Sequence, residues 1–185
     1  MNGAEGTGGG GTRTMRRSDR EITEYREMLS ILDKCDIIRL GINTPDHPYI
    51  VPMNFGYEDT APLLTIYVHC AHEGLKLELI KNDARIGFEA DASHNIIAGS
   101  EACGYSMEYE SIIGKGIVNI CDDAASKTRG LQAVMRHYEP ERAFGFTEHK
   151  VGAVCVLRID VTQITGKRSK RSSGKRTDGA QPPLR

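Results

Sequence analysis

The sequence predicts an α+β fold, mainly β, in which a small antiparallel barrel carries flanking helices. Two runs, Tyr49–Tyr57 and Leu64–Cys70, alternate apolar residues with others, which is typical of half-buried strands. The connections between the early strands are hairpin-sized, whereas a parallel sheet needs long crossovers. Helical spacing occurs in only a few segments, so we expect helices to flank the sheet rather than to alternate with strands.

Composition divides the chain into a domain, expected over residues 15–166, and two ends. Residues 1–14 are glycine-rich and carry almost nothing apolar, so they cannot offset the entropy cost of ordering and are expected to be a disordered leader. Residues 167–185 are basic and nearly lack apolar side chains. Such a tail could contact nucleic acid or anionic lipid, but we expect a solvated, disordered tail. No aromatic residues interleave with the charges, so stacking on bases has no support.

The domain is predicted to open with a helix and a strand. Ser18 and Glu21 fit a capping box, and the apolar residues that follow have helical spacing, which predicts a helix ending near Lys34. Alternating apolar residues then predict a first strand over Asp36–Asn43. The polar segment Glu58–Pro62 predicts the turn between the two runs named above.

A helix is expected after the second run, on a stripe formed by Leu75, Leu79 and Ile80. Gly74 and Lys76 lie in its first turn and predict a phosphate seat, because free backbone N–H groups, the helix dipole and a full charge all favour an anion there. The alternative is a solvated Lys76 that pairs with Glu73 or with the exposed neighbours of Ile80. In that case Arg39 or another arginine holds the phosphate.

Two residues of the early strands have two interpretations each. Arg39 is either a solvated charge or a second candidate phosphate ligand, since its guanidinium matches phosphate by a bidentate fork. Pro52 cannot donate to a sheet ladder, so it indicates an edge strand or a bulge. It then either leaves neighbouring backbone groups free for a planar ligand or only protects an edge from aggregation.

The second half of the chain is predicted to be strand-rich. We expect strands over Ala84–Ala90 and Tyr105–Cys121, the latter bent at Gly114 and Gly116, with a loop over Asp91–Cys103 between them.

The last elements are a helix, a loop region and a closing strand. Asp122 and Asp123 are expected to cap the helix, whose apolar stripe is Leu131, Val134, Met135 and Tyr138. A short helix and loop are expected over Glu139–Lys150, and the closing strand over Val151–Ile164.

The net charge, the apolar runs, the cysteines and the motifs exclude several classes of function. The net charge is −1, which argues against general attraction to nucleic acid or membranes. No apolar run approaches the roughly 20 residues that cross a bilayer, so a cytoplasmic protein is expected. The five cysteines are scattered without a CxxC pair, which argues against a disulfide framework or a metal site. No HExxH or P-loop motif is present, and the GxGxxG match at residues 6–11 lies in the glycine-rich leader with no strand pattern before it. Chemistry carried by a bound cofactor needs none of these motifs.

Four segments carry a resemblance to a known family. They read MRRSDREI, PYIVPMNFGY, YVHCAHEGLKLELIKND and YESIIGKG, between about Met15 and Lys167. Together they resemble the nitroimidazole-resistance branch of the pyridoxamine 5'-phosphate oxidase-like flavoproteins. The resemblance implies a six-stranded split β-barrel that dimerises and binds FMN at the subunit interface, with FAD as an open alternative.

The same resemblance implies the site residues. His69 is the expected catalytic residue, although a histidine at a strand end is often structural, and His72 is a weaker candidate. Ser111 lies where the family's flavin contacts fall, and the second subunit is its expected source. The implied cofactor-binding residues are Val51, Pro52, Met53, Asn54, His69, Cys70, Ala71, Gly74, Lys76 and Ser111.

Two functions stay open at this point. The first is an FMN-dependent oxidoreductase that reduces nitroaromatic or related small electrophiles, supplied by a reduced nicotinamide or another donor. The second is a non-catalytic flavin or haem binding protein, a carrier or sensor on the same scaffold. In either case the expected partners are a small molecule and a second copy of the chain.

Overall fold

The computed structural model describes residues 15–60 and 63–169. The predicted leader and the predicted tail from residue 170 onward lie outside these ranges. The strands are β1 (Glu21–Ile22), β2 (Ile38–Ile42), β3 (Tyr49–Met53), β4 (Phe55–Thr60), β5 (Leu63–Cys70), β6 (Arg85–Ile97), β7 (Ser106–Ile120) and β8 (Cys155–Ser169). The helices are α1 (Tyr25–Leu32), α2 (Leu75–Asn82), α3 (Ala124–Tyr138) and α4 (Glu148–Gly152).

All strand pairings in the sheet are antiparallel, and the order is β3-β2-β6-β7-β8-β5-β4, with β1 beside β8. The two ends of this order, β3 and β4, are neighbours in the chain and are separated only by Asn54. The sheet must therefore curl until its ends meet. No ladder joins β3 to β4 among the described strands, so the barrel is split there. The predicted α+β, mainly antiparallel fold is confirmed.

The described residues form eight strands where six were predicted. One addition is the two-residue β1. The other arises because the predicted run Tyr49–Tyr57 breaks at Asn54 into β3 and β4, which pair with different partners. The alternation within that run is still correct, since Met53 and Phe55 are both buried.

The predicted capping box at Ser18 and Glu21 is wrong. Ser18 opens a 3₁₀ turn that ends at Arg20, and Glu21 and Ile22 then pair with Lys167 and Gly166 of β8. Helix α1 starts only at Tyr25, and no side chain caps it. Pairing with the far end of the chain overrides the local helix signal, because Ile22 is buried in this arrangement.

The boundary predicted at residue 167 falls inside a strand. Strand β8 continues through Ser169, and Lys167 pairs with Ser111 of β7. Arg168 forms ion pairs with Glu27 and Glu110, and its side chain is only 15% exposed. The start of the basic stretch thus belongs to the sheet.

The loop predicted over Asp91–Cys103 is wrong in its first half. Strand β6 continues to Ile97 through a bulge between Ala92 and Asn95, where Ser93 has a positive φ of 62°. The bulge shifts the alternation, so no period is visible in the sequence. The bend predicted at Gly114 and Gly116 is confirmed by a register shift in the β7–β8 ladder.

Smaller differences concern element ends and one helix face. Strand β4 runs to Thr60, so the predicted turn from Glu58 starts too early. Val151 lies in α4, and the closing strand begins at Cys155. Helix α2 buries Leu77 and Ile80, whereas Leu75 of the predicted stripe is exposed.

Helix α3 packs on the outer face of β4 and β5. Its predicted cap is confirmed, because the Asp123 carboxylate accepts a hydrogen bond from the Ser126 N–H at 2.8 Å. A Cβ built on Gly56 would lie 2.2 Å from the Ala133 carbonyl oxygen, so only glycine allows this approach. Within the described ranges, no helix is long and apolar enough to cross a membrane.

We expect Gly56→Ala to destabilise the fold by about 1–3 kcal/mol, because the new methyl group meets helix backbone that cannot swing away. Urea unfolding followed by circular dichroism measures the change. Gly152→Ala is the matched control, since nothing lies within 4 Å of a Cβ built there. Equal stabilities of the two variants would contradict the close packing of α3 on β4.

Candidate functional site

The split in the barrel is held by one tyrosine at the end of α3. The Tyr138 hydroxyl donates to the Asp36 carbonyl oxygen at 2.7 Å and accepts from the Phe55 N–H at 3.1 Å. Asp36 leads into β2 and Phe55 begins β4, so a single side chain ties the two sides of the break together.

Pairing of β4 with β5 brings His69 beside the break. Phe55 faces Val68 in this antiparallel ladder, so Asn54 and His69 are the next residues beyond that pair on each strand. Asn54 and Pro52 are exposed, and Val51 is half-buried. The structure therefore gathers the predicted residues Val51–Asn54 and His69 at one place.

Strand β3 is an edge strand, as Pro52 indicated. Its only partner in the described sheet is β2, where Pro52 faces Arg39. The other side of β3 offers backbone groups that no strand uses, and these could bond a ligand.

His69 carries an unpaired polar atom. Its Nδ1 is buried and has no hydrogen-bond partner, the single such side-chain nitrogen or oxygen within the described ranges. Burying an unsatisfied polar group costs about 1–3 kcal/mol, so such atoms are rare in folded proteins. An imidazole nitrogen can donate or accept, depending on the tautomer. A bound group that supplies the missing partner would remove this cost.

The start of α2 lies directly after β5. Gly74 is the N-cap residue with φ 126°, a conformation that favours glycine, and nothing lies within 4 Å of a Cβ built there. No side chain caps the helix, so its first N–H groups face outward without a side-chain partner. Lys76 lies in the same turn and forms no ion pair with any described residue, which does not support its predicted pairing with Glu73.

His72 has a structural contact. Its Nε2 lies 2.8 Å from the Gly152 carbonyl oxygen at the end of α4, so it donates this hydrogen bond. The contact fixes the turn that joins β5 to α2, which includes Ala71 and Gly74. His72 thus supports the turn rather than facing an anion.

Arg39 is already neutralised by carboxylates. Its Nη1 donates to Glu89 at 3.0 Å and to Asp91 at 2.5 Å. Hydrogen bonding to Asp91 holds the pKa of Arg39 above its usual value. The geometry favours Lys76 over Arg39 as the ligand for a phosphate.

Ser111 does not join the other predicted residues within one chain. It faces Lys167 of β8, whereas His69 faces Val156, eleven residues earlier on the same strand. At about 3.3 Å per residue, the two positions lie near opposite ends of β8. Within one chain, Ser111 therefore lies far from the site around His69.

A groove crosses the outer face of the sheet beside Pro52. One row of residues in register contains Ile50, Gly41, Gly87 and Lys115. The next row contains Pro52, Arg39, Glu89 and Ile113. The two glycines leave a groove of about 450 Å³ between Ile50 and Lys115, and Ile50 and Ile113 are each 58% exposed. The sequence does not predict this groove, because the groove depends on the register of four strands.

Comparisons with known proteins agree with this fold. A model of the pyridoxamine 5'-phosphate oxidase family matches residues 24–168. The chain belongs to this family. No curated protein matches by sequence.

A similar solved structure indicates the branch of the pyridoxamine 5'-phosphate oxidase family to which this chain belongs. A candidate 5-nitroimidazole antibiotic resistance protein from Bacteroides thetaiotaomicron is 32% identical, with a TM-score of 0.69, and the match covers 80% of this chain and 86% of that one. The predicted family and its nitroimidazole-resistance branch are confirmed.

Two further structures share the fold at low identity. The flavocytochrome Anf3 from Azotobacter vinelandii is 15% identical, with a TM-score of 0.73 over 94% of this chain and 87% of that one. A FAD and heme binding protein from Mycobacterium smegmatis is 18% identical, with a TM-score of 0.70 over 86% of this chain and 77% of that one.

Proposed function

We propose that this protein binds FMN between two copies of the chain and uses it to reduce nitroaromatic or related small electrophiles. One observation carries the proposal: the unpaired Nδ1 of His69 lies at the split in the barrel, one short turn before the uncapped start of α2. The similarity to a candidate nitroimidazole resistance protein supports the substrate class.

The start of α2 fits a phosphate. Its free N–H groups and the positive end of its dipole attract an anion, Gly74 leaves room for close approach, and Lys76 adds a full charge. These groups would hold the phosphate of FMN. FAD also carries phosphate, so this seat alone does not select between the two flavins.

The neighbouring edge fits a flat ring with polar atoms along its rim. Backbone groups on the open side of β3 and at Asn54 would bond the rim, and His69 Nδ1 would gain its missing partner from the ring or from the substrate. Val51, Cys70 and Ala71 flank these groups. The chain thus offers position and hydrogen bonds, which is what a flavin requires of its protein.

When bound, FMN supplies pairs of electrons that it has received from a donor such as reduced nicotinamide. A nitro group that gains two electrons and two protons becomes a nitroso group and releases water. His69 would orient the substrate and hold a proton near it, because its Nδ1 lies at the split without a partner in the chain. Lys76 would act only on the phosphate.

The second copy is proposed to cover the groove on the outer face. The groove is apolar where Ile50 and Ile113 stand exposed, and Ile117 is a further exposed apolar residue on β7. Exposed apolar residues in a cluster are typical of interfaces. The partner's Ser111 is proposed to complete the site, since Ser111 of the same chain lies far from His69.

Two measurements on the purified protein test the function. We expect a flavin absorbance spectrum, and steady oxidation of reduced nicotinamide when a nitroimidazole is added. A flavin spectrum without turnover would instead favour a non-catalytic flavin carrier or sensor. A Soret band would indicate haem, and a colourless protein that takes up neither group would overturn the proposal.

Lys76→Ala is expected to weaken FMN binding by about ten-fold to a hundred-fold, since a charge-assisted hydrogen bond contributes roughly 1.5–3 kcal/mol. Riboflavin lacks the phosphate and should bind the variant and the parent alike. Fluorescence titration measures both affinities. Lys81→Ala, at the other end of α2, is the control. Superimposable FMN titrations would move the phosphate seat elsewhere.

His69→Ala is expected to lower turnover at least ten-fold while FMN affinity changes much less, because backbone groups and the phosphate seat still hold the cofactor. His69→Gln should restore part of the rate, as its amide can supply one hydrogen bond. The exposed His47→Ala serves as the control. Parallel loss of FMN and activity would make His69 structural.

Ile113→Asp is expected to convert the dimer to a monomer, because a carboxylate in an apolar contact is buried without a partner. Ile113→Val keeps the surface apolar and should leave the dimer intact. Analytical ultracentrifugation distinguishes the two states. A parent protein that is monomeric and binds one FMN per chain would contradict the proposed interface.

A further inference from the structure

Two thiols lie opposite each other at the last pair of the β5–β8 ladder. Cys70 and Cys155 are direct partners in this antiparallel register. Directly opposite residues share a face of the sheet, and their Cα atoms are about 4.5 or 5.5 Å apart, depending on the type of pair. Both spacings fall within the roughly 4.4–6.8 Å that disulfide bonds span. The backbone therefore already suits a bond between them.

The two side chains also interact. Burial raises the pKa of the Cys70 thiol, and contact with the Cys155 thiol raises it further, while the nearby Lys76 ammonium acts in the opposite direction. Cys155 is almost fully buried, whereas Cys70 is partly open. Cys70 is thus the thiol that a small reagent can reach, with Cys155 directly behind it.

The other cysteines lack this arrangement. Cys35 is buried, and its thiol donates to the Ile31 carbonyl oxygen. Cys103 is exposed, and its thiol donates a long hydrogen bond to Glu101. Cys121 is the nearest competitor, but it packs with Val156 on the face of β8 opposite to that of Cys155.

We propose that Cys70 and Cys155 are a redox-active dithiol, which closes to an intrachain disulfide when the protein meets a peroxide. Because the pKa of Cys70 is raised, its thiolate is a minor form near neutral pH, and this thiolate is the species that attacks one peroxide oxygen. An S–O bond forms, the O–O bond breaks, and the departing hydroxide takes up a proton and leaves as the first water, so that Cys70 becomes a sulfenic acid. The Cys155 thiol then attacks the Cys70 sulfur, the S–S bond forms, the S–O bond breaks, and the second water leaves. Overall, two thiols lose two electrons and two protons, and hydrogen peroxide is reduced to two waters.

This site goes beyond the proposed reductase, since its chemistry needs neither flavin nor nitroaromatic substrate. The site also adjoins the turn between β5 and α2. The new bond would lock the strand end from which the turn to Gly74 and Lys76 starts. Oxidation would therefore stiffen the proposed phosphate seat.

Peptide mapping of the oxidised protein tests the proposal. The full chain with Cys103→Ser avoids cross-links between molecules and leaves four of the five cysteines. It is treated with hydrogen peroxide, denatured, alkylated and digested. We expect four alkylatable thiols to fall to two, a linked peptide that joins Cys70 to Cys155, and recovery of four thiols with dithiothreitol.

Two variants in the same background separate this pair from its competitor. Cys121→Ser should still form the link, whereas Cys70→Ser should leave Cys155 fully alkylatable. Three results would each overturn the proposal. The first is a link that involves Cys121, and the second is oxygen added to Cys70 without a link. The third is four thiols that persist under conditions in which glutathione is oxidised in parallel. The peptide map of the Cys103→Ser protein tests the link even if one of the other two variants does not fold.

Discussion

The structure depends on one constraint, which is that β3 and β4 follow each other in the chain yet end opposite sides of the sheet. The seven strands from β3 to β4 must curve so that Asn54 alone can bridge the gap. The Tyr138 hydroxyl stabilises this closure through backbone groups on both sides. The candidate site lies at the same break because the backbone is left partly unpaired there.

The elements that could be predicted from the sequence are those with local signals. Apolar residues alternate along half-buried strands, so most strands of the sheet can be predicted from the sequence. Asp123 can likewise be recognised as the cap of α3. Long-range pairing overrode local signals elsewhere. Glu21 resembles part of a capping box but pairs with Lys167, and the bulge at Ser93 hid the second half of β6.

The candidate site was predictable in part for the same reason. His69, Gly74 and Lys76 lie in one continuous stretch, so their proximity could be inferred from spacing and from the family resemblance. The carboxylates that engage Arg39 come from β6, and the residue opposite Cys70 comes from β8. Partners such as these are set by sheet register, which one sequence does not reveal. The sequence predicts Tyr138 only as part of the apolar stripe of α3, and its role at the break follows from its two hydrogen bonds.

The central position of β8 bears on how the protein is made. This last strand lies between β7 and β5 and also pairs with β1, so it joins elements from both ends of the domain. A ribosome delivers β8 only after all other described strands, and until then β5 and β7 each lack a neighbour on one side. Contacts of such long sequence separation make folding slow and leave strand edges open to misassociation. Until Ser169 has emerged from the ribosome, the open edges of β5 and β7 in the nascent chain must therefore be kept from pairing with other chains.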